Sequence, residues 1–355
     1  MTKLKSISVA ITLSCILIGV SSCDNDLVYE YEGDCAPKVQ FIFKKHRQAL
    51  NEIGGRETDA FYSTIESVHL FVFRSETGEL VSDIYQTTEN LLSAADIKVG
   101  QSTDKCYLPV DLAPGKYRFV AWCGLNEIDN NNAFYLNPGN SRTTYTDCKV
   151  KLSDATGMPV SDARYEAVYF GSLNEFEVLA GEDAPVIPIE LTKDSNEISV
   201  WVQHATQTFA DGDYYVVYTD ANGAMSFDDN SITNPSRLEY HAYSTSLLNS
   251  NTEYNGSEME TGALVAHIST SRLMQANEND ARLEVRARDG QTVFSIPFIK
   301  YVLNLQTFTR NAQYYLDCED TYNCSFYLTG ESGTWTPSRI IINNWVVVPD
   351  QNSDI

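Results

Sequence analysis

The sequence predicts an all-β protein built from two antiparallel β-sandwich domains in tandem. Short apolar strands recur about every 10 to 20 residues from Lys38 onward, and helical periodicity is almost absent. The strand pattern stops at a polar segment, Lys193–Asn196, and then starts again. We therefore expect one sandwich over residues 37–193 and a second over residues 194–355.

The strands of the first half begin at Lys38–Phe43 and continue with Ser67–Phe73. The clearest local signal is Asp111–Trp122, in which Pro114 and Gly115 fit the centre of a type II turn. Proline sets φ for the first central position of that turn, and glycine accepts the positive φ of the second. A Pro-Gly turn followed by an aromatic strand is found in transthyretin-like and other β-sandwich domains.

In the second half, Glu197–Gln203 alternates apolar with polar residues, as a half-buried strand does. Asn230–Glu260 is long and polar, and we interpret it as a surface excursion. Arg282–Arg288 alternates charged with apolar residues, which is more typical of the solvated face of a sheet than of a ligand-binding stripe. Gln313–Leu316 and Ile340–Val348 are predicted as further strands.

The N-terminus has the order of a secretory signal. Lys3 and Lys5 precede an uncharged apolar run, Ser6–Val20, which ends in small residues before Cys23. This ending resembles the lipobox of bacterial lipoproteins, so we predict a signal peptide over residues 1–22 and a lipidated cysteine at position 23. An ordinary secretory signal with a chance cysteine is the alternative. Residues 23–36 are rich in acids and form the expected tether.

The charge of the chain limits its partners. Lys and Arg number 25 against 48 Asp and Glu, a formal net charge of −23. Such a surface repels phosphate backbones, and nucleic acid is not an expected partner. It also repels anionic lipid surfaces, so that attachment to a membrane must come from acyl chains.

Six cysteines remain once Cys15 leaves with the signal and Cys23 takes lipid. An even number in an exported chain suggests disulfides, although six cysteines allow 15 pairings. Cys318 and Cys324 flank a short turn-like segment, and we expect them to pair first. The other four candidates are Cys35, Cys106, Cys123 and Cys148.

No motif of a catalytic site is present in the sequence. It contains no Gly-x-Ser-x-Gly, no Gly-rich phosphate loop and no zinc-protease helix motif. The cysteines lack the Cys-x-x-Cys spacing of zinc sites. We therefore predict that the protein is not an enzyme and that it uses no metal, cofactor or small-molecule substrate.

An ordered set of segments covers nearly the whole mature chain and resembles the FimB/Mfa2 family of fimbrial anchor proteins from Bacteroides-type bacteria. Cys318 and Cys324 stand where this family is expected to have an arginine and an apolar residue, a departure that fits a local disulfide. The matching segments are Cys35–Pro37, Asp59–Phe61, Val68–Phe73, Asp111–Trp122, Lys193–Val200, Phe294–Ile299, Leu316–Asp317, Tyr322, Ser325–Phe326 and Ile342–Val346.

The resemblance implies two transthyretin-like sandwiches, lipidation at the outer membrane with surface exposure, and a place at the base of a type V-like pilus. The implied partner is a fimbrial shaft subunit, and a role in limiting pilus length is compatible with this place. By the same resemblance, the acidic residues after Cys23 are either a solvated linker or a surface-export signal.

Shaft subunits of similar pili lose their first strand to an Arg- or Lys-specific protease, and a neighbour's C-terminal strand fills the groove that opens. An anchor must keep its lipid and therefore its first strand. Arg47 and Arg56 follow that strand in the polar loop Lys44–Asp59, so cleavage there would indicate a shaft or tip subunit instead. The donor strand implied for an anchor is Ile340–Ile355, although its first part, Ile340–Val348, is as readily an ordinary core strand.

A surface glycan-binding lipoprotein is the second alternative. The chain has 21 Tyr and 4 Trp, and tandem β-sandwiches suit glycan binding as well as pilus attachment. Aromatic side chains exposed on one face of a sheet would favour this alternative.

Overall fold

A computed structural model describes the backbone of residues 36–43, 50–53, 56–59, 65–93, 106–124, 134–137, 149–152, 160–162, 164–165, 167–179, 185–204, 206–226, 237–254, 257–304, 312–330 and 335–347. Strands dominate these residues, which confirms the prediction of an all-β protein. The chain from Pro37 to Ile355 forms one compact unit.

The strands follow one another along the chain with few helical interruptions. Those of the first half are β1 Lys38–Ile42, β2 Leu50–Ile53, β3 Arg56–Asp59, β4 Ser67–Arg74, β5 Leu80–Thr87, β6 Leu92–Ser93, β7 Cys106–Pro109, β8 Gly115–Cys123, β9 Phe134–Asn137, β10 Lys149–Leu152, β11 Val160–Ser161, β12 Tyr169–Val178 and β13 Val186–Lys193.

Those of the second half are β14 Ser195–His204, β15 Tyr214–Asp220, β16 Ala224–Ser226, β17 Leu238–His241, β18 Ser244–Tyr254, β19 Ser257–Ser271, β20 Arg282–Ala287, β21 Thr292–Pro297, β22 Thr321–Thr329, β23 Thr336–Ile342 and β24 Trp345–Val347. Two α-helices, α1 Phe298–Asn304 and α2 Ala312–Cys318, lie between β21 and β22. Short 3-10 helices cover Thr88–Asn90 and Gln275–Asn277.

The first half forms an eight-stranded sheet with the order β5-β4-β8-β12-β13-β1-β7-β6. β12 and β13 join its two parts through only three register pairs, from Tyr169 with Lys193 to Gly171 with Leu191. Apolar side chains from both parts, such as Leu70 on β4 and Ile189 on β13, meet in one core cluster. The sheet therefore folds over on itself as a sandwich.

The second half forms a five-stranded sheet, β11-β17-β15-β20-β21, and a six-stranded sheet, β18-β19-β14-β22-β23-β24. Side chains from both sheets belong to a second core cluster, in which Ile198, Val200 and Val202 of β14 are fully buried. Trp122 and Phe170 from the first half belong to the same cluster. A three-stranded sheet, β16-β10-β9, and the hairpin β2-β3 complete the described strands.

The polar segment at the expected boundary is buried instead of solvated. Asp194 is the single residue between β13 and β14, and it is fully buried. The Asp194 amide donates to the carbonyl of Val168 at 2.7 Å, and the Val168 amide donates to Ser195 Oγ at 3.2 Å. These polar groups satisfy the backbone where the chain passes from one sheet to the next. The division into one domain over residues 37–193 and a second over residues 194–355 stays a prediction.

Two local predictions are wrong. Gln313–Leu316 lies in helix α2 instead of a strand, and the excursion predicted at Asn230–Glu260 contains β17, β18 and the start of β19. The helix is held by contacts distant in sequence, because Asp317 accepts two hydrogen bonds of 2.8 Å from the guanidinium of Arg272. Gln313 Nε2 also donates to Asp317 Oδ1 at 2.9 Å, one helical turn away.

A buried polar network holds the turn after β15. Tyr218 Oη donates to Asp220 Oδ2 at 2.6 Å, and Asn277 Nδ2 donates to Asp220 Oδ1 at 2.7 Å. Next to it, Tyr240 Oη donates to Asn222 Oδ1 at 2.5 Å. Burial raises the pKa of Asp220 from its usual 3.8 to about 6. Its hydrogen bonds oppose this shift without cancelling it.

The raised pKa of Asp220 predicts that this residue lowers stability as the pH rises. Because the folded state holds this proton more tightly than the unfolded state, the free energy of unfolding should fall between about pH 4 and pH 6. The loss from this group is up to about 3 kcal/mol. In urea unfolding from pH 4 to pH 7, Asp220→Asn should gain stability relative to the wild type over this range. Parallel stability curves for the two proteins would contradict this prediction.

Candidate assembly site at the first and last strands

The first strand, β1, lies inside the eight-stranded sheet instead of at its edge. It runs parallel to β13, with Lys38 opposite Val186, and antiparallel to β7, with Val39 opposite Leu108. Neighbouring strands therefore pair with β1 on both sides. Because β1 is an inner strand, its loss would leave two strand edges facing an open groove.

Alternate side chains of this segment fill the core of the first half. Val39 and Phe43 are fully buried, and Phe41 is 3% exposed. The ring of Phe43 stacks on that of Tyr169 with centroids 4.5 Å apart. Burial of side chains of this size is worth about 1.5 to 3 kcal/mol each, so the three contribute at most roughly 5 to 9 kcal/mol. Removal of β1 would therefore destabilise the first half strongly.

The two predicted protease sites follow β1 in the chain. Arg47 lies outside the described residues. Arg56 begins β3 and lies opposite Ile53 of β2, so the expected polar loop contains an antiparallel hairpin of β2 and β3. Because a protease binds its substrate as an extended and unpaired segment, cleavage after Arg56 requires that this hairpin opens. An isolated two-stranded hairpin is only marginally stable in water, so this protection is modest.

The last described strands form a hairpin, whereas the sequence predicts one strand over Ile340–Val348. Asn343 and Asn344 have φ angles of 46° and 69°, and Ile342 lies opposite Trp345. Two central residues with positive φ form a type I′ turn, and asparagine accepts this conformation better than most residues. The Asn-Asn pair between two β-branched runs was therefore a turn signal in the sequence.

The two strands of this hairpin are buried to very different extents. In β23, Ile340 and Ile342 are fully buried. In β24, Trp345 is 58% exposed and Val346 is 51% exposed, while Val347 is 5% exposed. β24 is also the edge strand of the six-stranded sheet. Within the described part of the predicted donor strand, Trp345–Val347 can thus leave with less loss of core packing than Ile340–Ile342.

The cysteines do not pair as expected. Cys123 and Cys324 are buried free thiols, so the predicted disulfide between Cys318 and Cys324 is absent. Cys324 shares the core-facing side of β22 with Tyr322 and Phe326, whereas Cys318 ends helix α2 and is half-buried. Burial in apolar surroundings raises the pKa of both free thiols. Cys35, Cys148 and the side chain of Cys106 lie outside the described residues.

The predicted lipidation site, Cys23, also lies outside the described residues. Among the helices that the structure describes, none combines the length and apolar character needed to cross a membrane. Within the same residues, no three His, Cys, Asp or Glu side chains are grouped closely enough to hold a metal ion. Lipidation and the lack of a metal therefore stay predictions.

Comparison with protein families now identifies the fold and its family. The model of the fimbrillin-A-associated anchor proteins Mfa1 and Mfa2 matches residues 31–350. The chain belongs to this family. The resemblance to FimB/Mfa2 anchors is thereby confirmed, and it associates the chain with fimbriae and the cell surface. A search of curated proteins gives no match.

Solved structures with the same fold come from Bacteroides and Porphyromonas species. A proposed adhesin from Bacteroides thetaiotaomicron has 24% identity and a TM-score of 0.68, with 88% of this chain and 97% of that chain covered. A proposed polysaccharide-binding protein from the same species has 22% identity and a TM-score of 0.67, over 90% and 100% of the two chains. The fimbrial anchor protein Mfa2 from Porphyromonas gingivalis has 16% identity and a TM-score of 0.56, over 88% and 99%.

The contrast between β23 and β24 predicts opposite results for two alanine substitutions. Ile340→Ala should lower the free energy of unfolding by about 2 to 5 kcal/mol, because it leaves a cavity in the core. Val346→Ala, on the exposed edge strand, should change it by no more than about 0.5 kcal/mol. Urea unfolding of both variants at one pH measures the difference. Equal losses would show that β24 is as much a part of the core as β23.

Proposed function

We propose that the protein is the lipid-anchored base subunit of a pilus, held to the outer membrane through Cys23 and to a fimbrial shaft subunit through its C-terminal segment. The observation that carries this proposal is the position of β1 between β13 and β7, in a chain of the anchor family. A subunit whose groove is filled by its own first strand has no place there for a donated strand. Such a subunit ends the chain of strand donation and acts without catalysis.

The C-terminal segment supports the role of donor. A donated strand needs backbone groups that are free to pair and side chains that fit pockets of the partner. β24 lies at a sheet edge with Trp345 and Val346 exposed, and residues 348–355 follow it. We propose that Trp345–Ile355 leaves its own sheet and adds to the sheet of the last shaft subunit.

Retention of β1 makes a prediction about the N-terminus of the mature protein. Intact-mass analysis of the protein from the cell surface should find a chain that begins at Cys23 with acyl groups attached. Exchange of Cys23→Ala should release the protein and its pili into the medium. A mature chain that begins at Gln48 or Glu57 would show cleavage after Arg47 or Arg56. That result would make the protein a shaft or tip subunit.

Deletion of Trp345–Ile355 tests the donor segment. Because the core strand β23 remains, the shortened protein should stay folded and attached to the cell, while pili are shed into the medium. Circular dichroism and thermal unfolding of the purified variant report folding, and immunoblots of cell and medium fractions report attachment. Val81→Ala, on the exposed edge strand β5 of the first half, serves as a control that should retain pili. Pili that remain on cells after the deletion would exclude this segment as the connection.

A further inference from the structure

The outer face of the six-stranded sheet carries an exposed tryptophan at its centre. Along β14, Ile198, Val200 and Val202 face the core, so that Trp201 and Gln203 face the opposite side. Trp201 is 38% exposed, although β14 is an inner strand of the sheet. Tryptophan is enriched at binding surfaces because its indole combines a large apolar area with an N–H donor, so Trp201 is a candidate binding residue.

The neighbours of Trp201 form a flat platform with it. Cross-strand register places Val265 of β19 and Ser325 of β22 on either side of Trp201, and Tyr327 of β22 beside Gln203. Residues in direct register point to the same face, and diagonal neighbours such as Trp201 and Tyr327 lie about 7 to 8 Å apart. We call these five residues the Trp201 platform.

Val265 is the cross-strand neighbour of Trp201 on β19. It faces outward, because its neighbours Leu264 and Ala266 belong to the core, yet it is only 4% exposed. Trp201 and Ser246 are the residues directly opposite it in the register. Trp201 keeps 38% of its own surface exposed at this place.

The polar groups of the platform are available to a ligand. Among the residues that the structure describes, the side-chain amide of Gln203 and the side-chain hydroxyl of Ser325 make no hydrogen bond. One row further along the sheet, Ser199 Oγ and His267 Nδ1 are already paired with each other at 2.9 Å. An amide and a hydroxyl beside an aromatic ring match a ligand that has both apolar C–H faces and hydroxyl groups.

The charge on and around the platform limits the class of ligand that it can bind. None of its five residues is charged, but Arg339 of β23 lies opposite Tyr327 in the register, with its guanidinium 5.9 Å from the centre of the Tyr327 ring. The outer face of the five-stranded sheet carries more charge, because Arg286 pairs there with Glu284 at 2.7 Å and Glu239 at 3.0 Å. A patch with one arginine at its margin, on a chain with a formal net charge of −23, suits a neutral ligand better than a polyanion, which the rest of the acidic surface repels.

We propose that the Trp201 platform binds a neutral polysaccharide. The apolar C–H face of a pyranose ring stacks on the exposed face of the indole, and Tyr327 contacts the next part of the sugar chain. Gln203 and Ser325 form hydrogen bonds with the sugar hydroxyls at the edge of the ring. The platform lies on β14, β19 and β22, and none of its five residues belongs to the proposed donor segment Trp345–Ile355.

The test is affinity electrophoresis of the mature chain, residues 23–355, in native gels that contain soluble β-glucan, α-mannan or galactan. Polygalacturonate and heparin serve as anionic comparisons. At least one neutral polysaccharide should retard the wild-type protein. Trp201→Ala should weaken this binding about tenfold or more, which corresponds to 1.4 kcal/mol, and Gln203→Ala should weaken it less.

Trp345→Ala provides a matched control, because it removes a tryptophan that is 58% exposed on the same sheet but outside the platform. This variant should bind the polysaccharide as the wild type does. Trp201→Phe should retain part of the binding. Thermal unfolding of each variant checks that it is folded. Retardation by none of the neutral polysaccharides, equal binding by Trp201→Ala, or a preference for the anionic polymers would overturn the proposal. The proposal would also be overturned if Trp201→Ala lost its binding to a fimbrial subunit but kept its binding to the polysaccharide. The platform would then be a protein interface.

Discussion

The pairing of β1 with β13 is the interaction on which the first half of the molecule depends. β12 pairs with β13 only from Leu191 to Lys193, so β1 is the partner through which Val186–Glu190 is held in the sheet. Ile187 and Ile189, both fully buried, lie in this segment. Loss of β1 would therefore release part of β13 as well as its own apolar side chains. The first strand is a structural necessity here unless another strand replaces it.

The same strands provide a continuous path between the two ends of the molecule. β13 leads through the single residue Asp194 into β14, which lies at the centre of the six-stranded sheet. β14 pairs with β22, and β22 pairs with the hairpin that ends in β24. In the role that we propose, tension between the membrane and the pilus would pass along these hydrogen-bonded strands. The buried polar contacts around Asp194 strengthen the point where the two sheets meet.

The two sheets of the second half share one core but differ in their outer faces. The alternating charges of Arg282–Arg288 mark a solvated face, as the sequence indicates, and Leu283 and Val285 beneath them are each 1% exposed. The six-stranded sheet instead exposes Trp201 beside Gln203, Ser325 and Tyr327, with Arg339 next to Tyr327. The glycan binding that we propose is assigned to this face.

The sequence by itself determined the all-β class, the strands at Lys38–Phe43 and Glu197–Gln203, and the family, because alternation with a period of two and ordered motifs are local properties. It did not determine helix α2, which depends on Asp317 meeting an arginine 45 positions away. Nor did it determine that Cys324 faces the core while Cys318 ends a helix. The exposure of one tryptophan and the central position of β1 were likewise decided only by the tertiary structure. These features depend on which strands become neighbours, and that choice is made by packing across the whole chain.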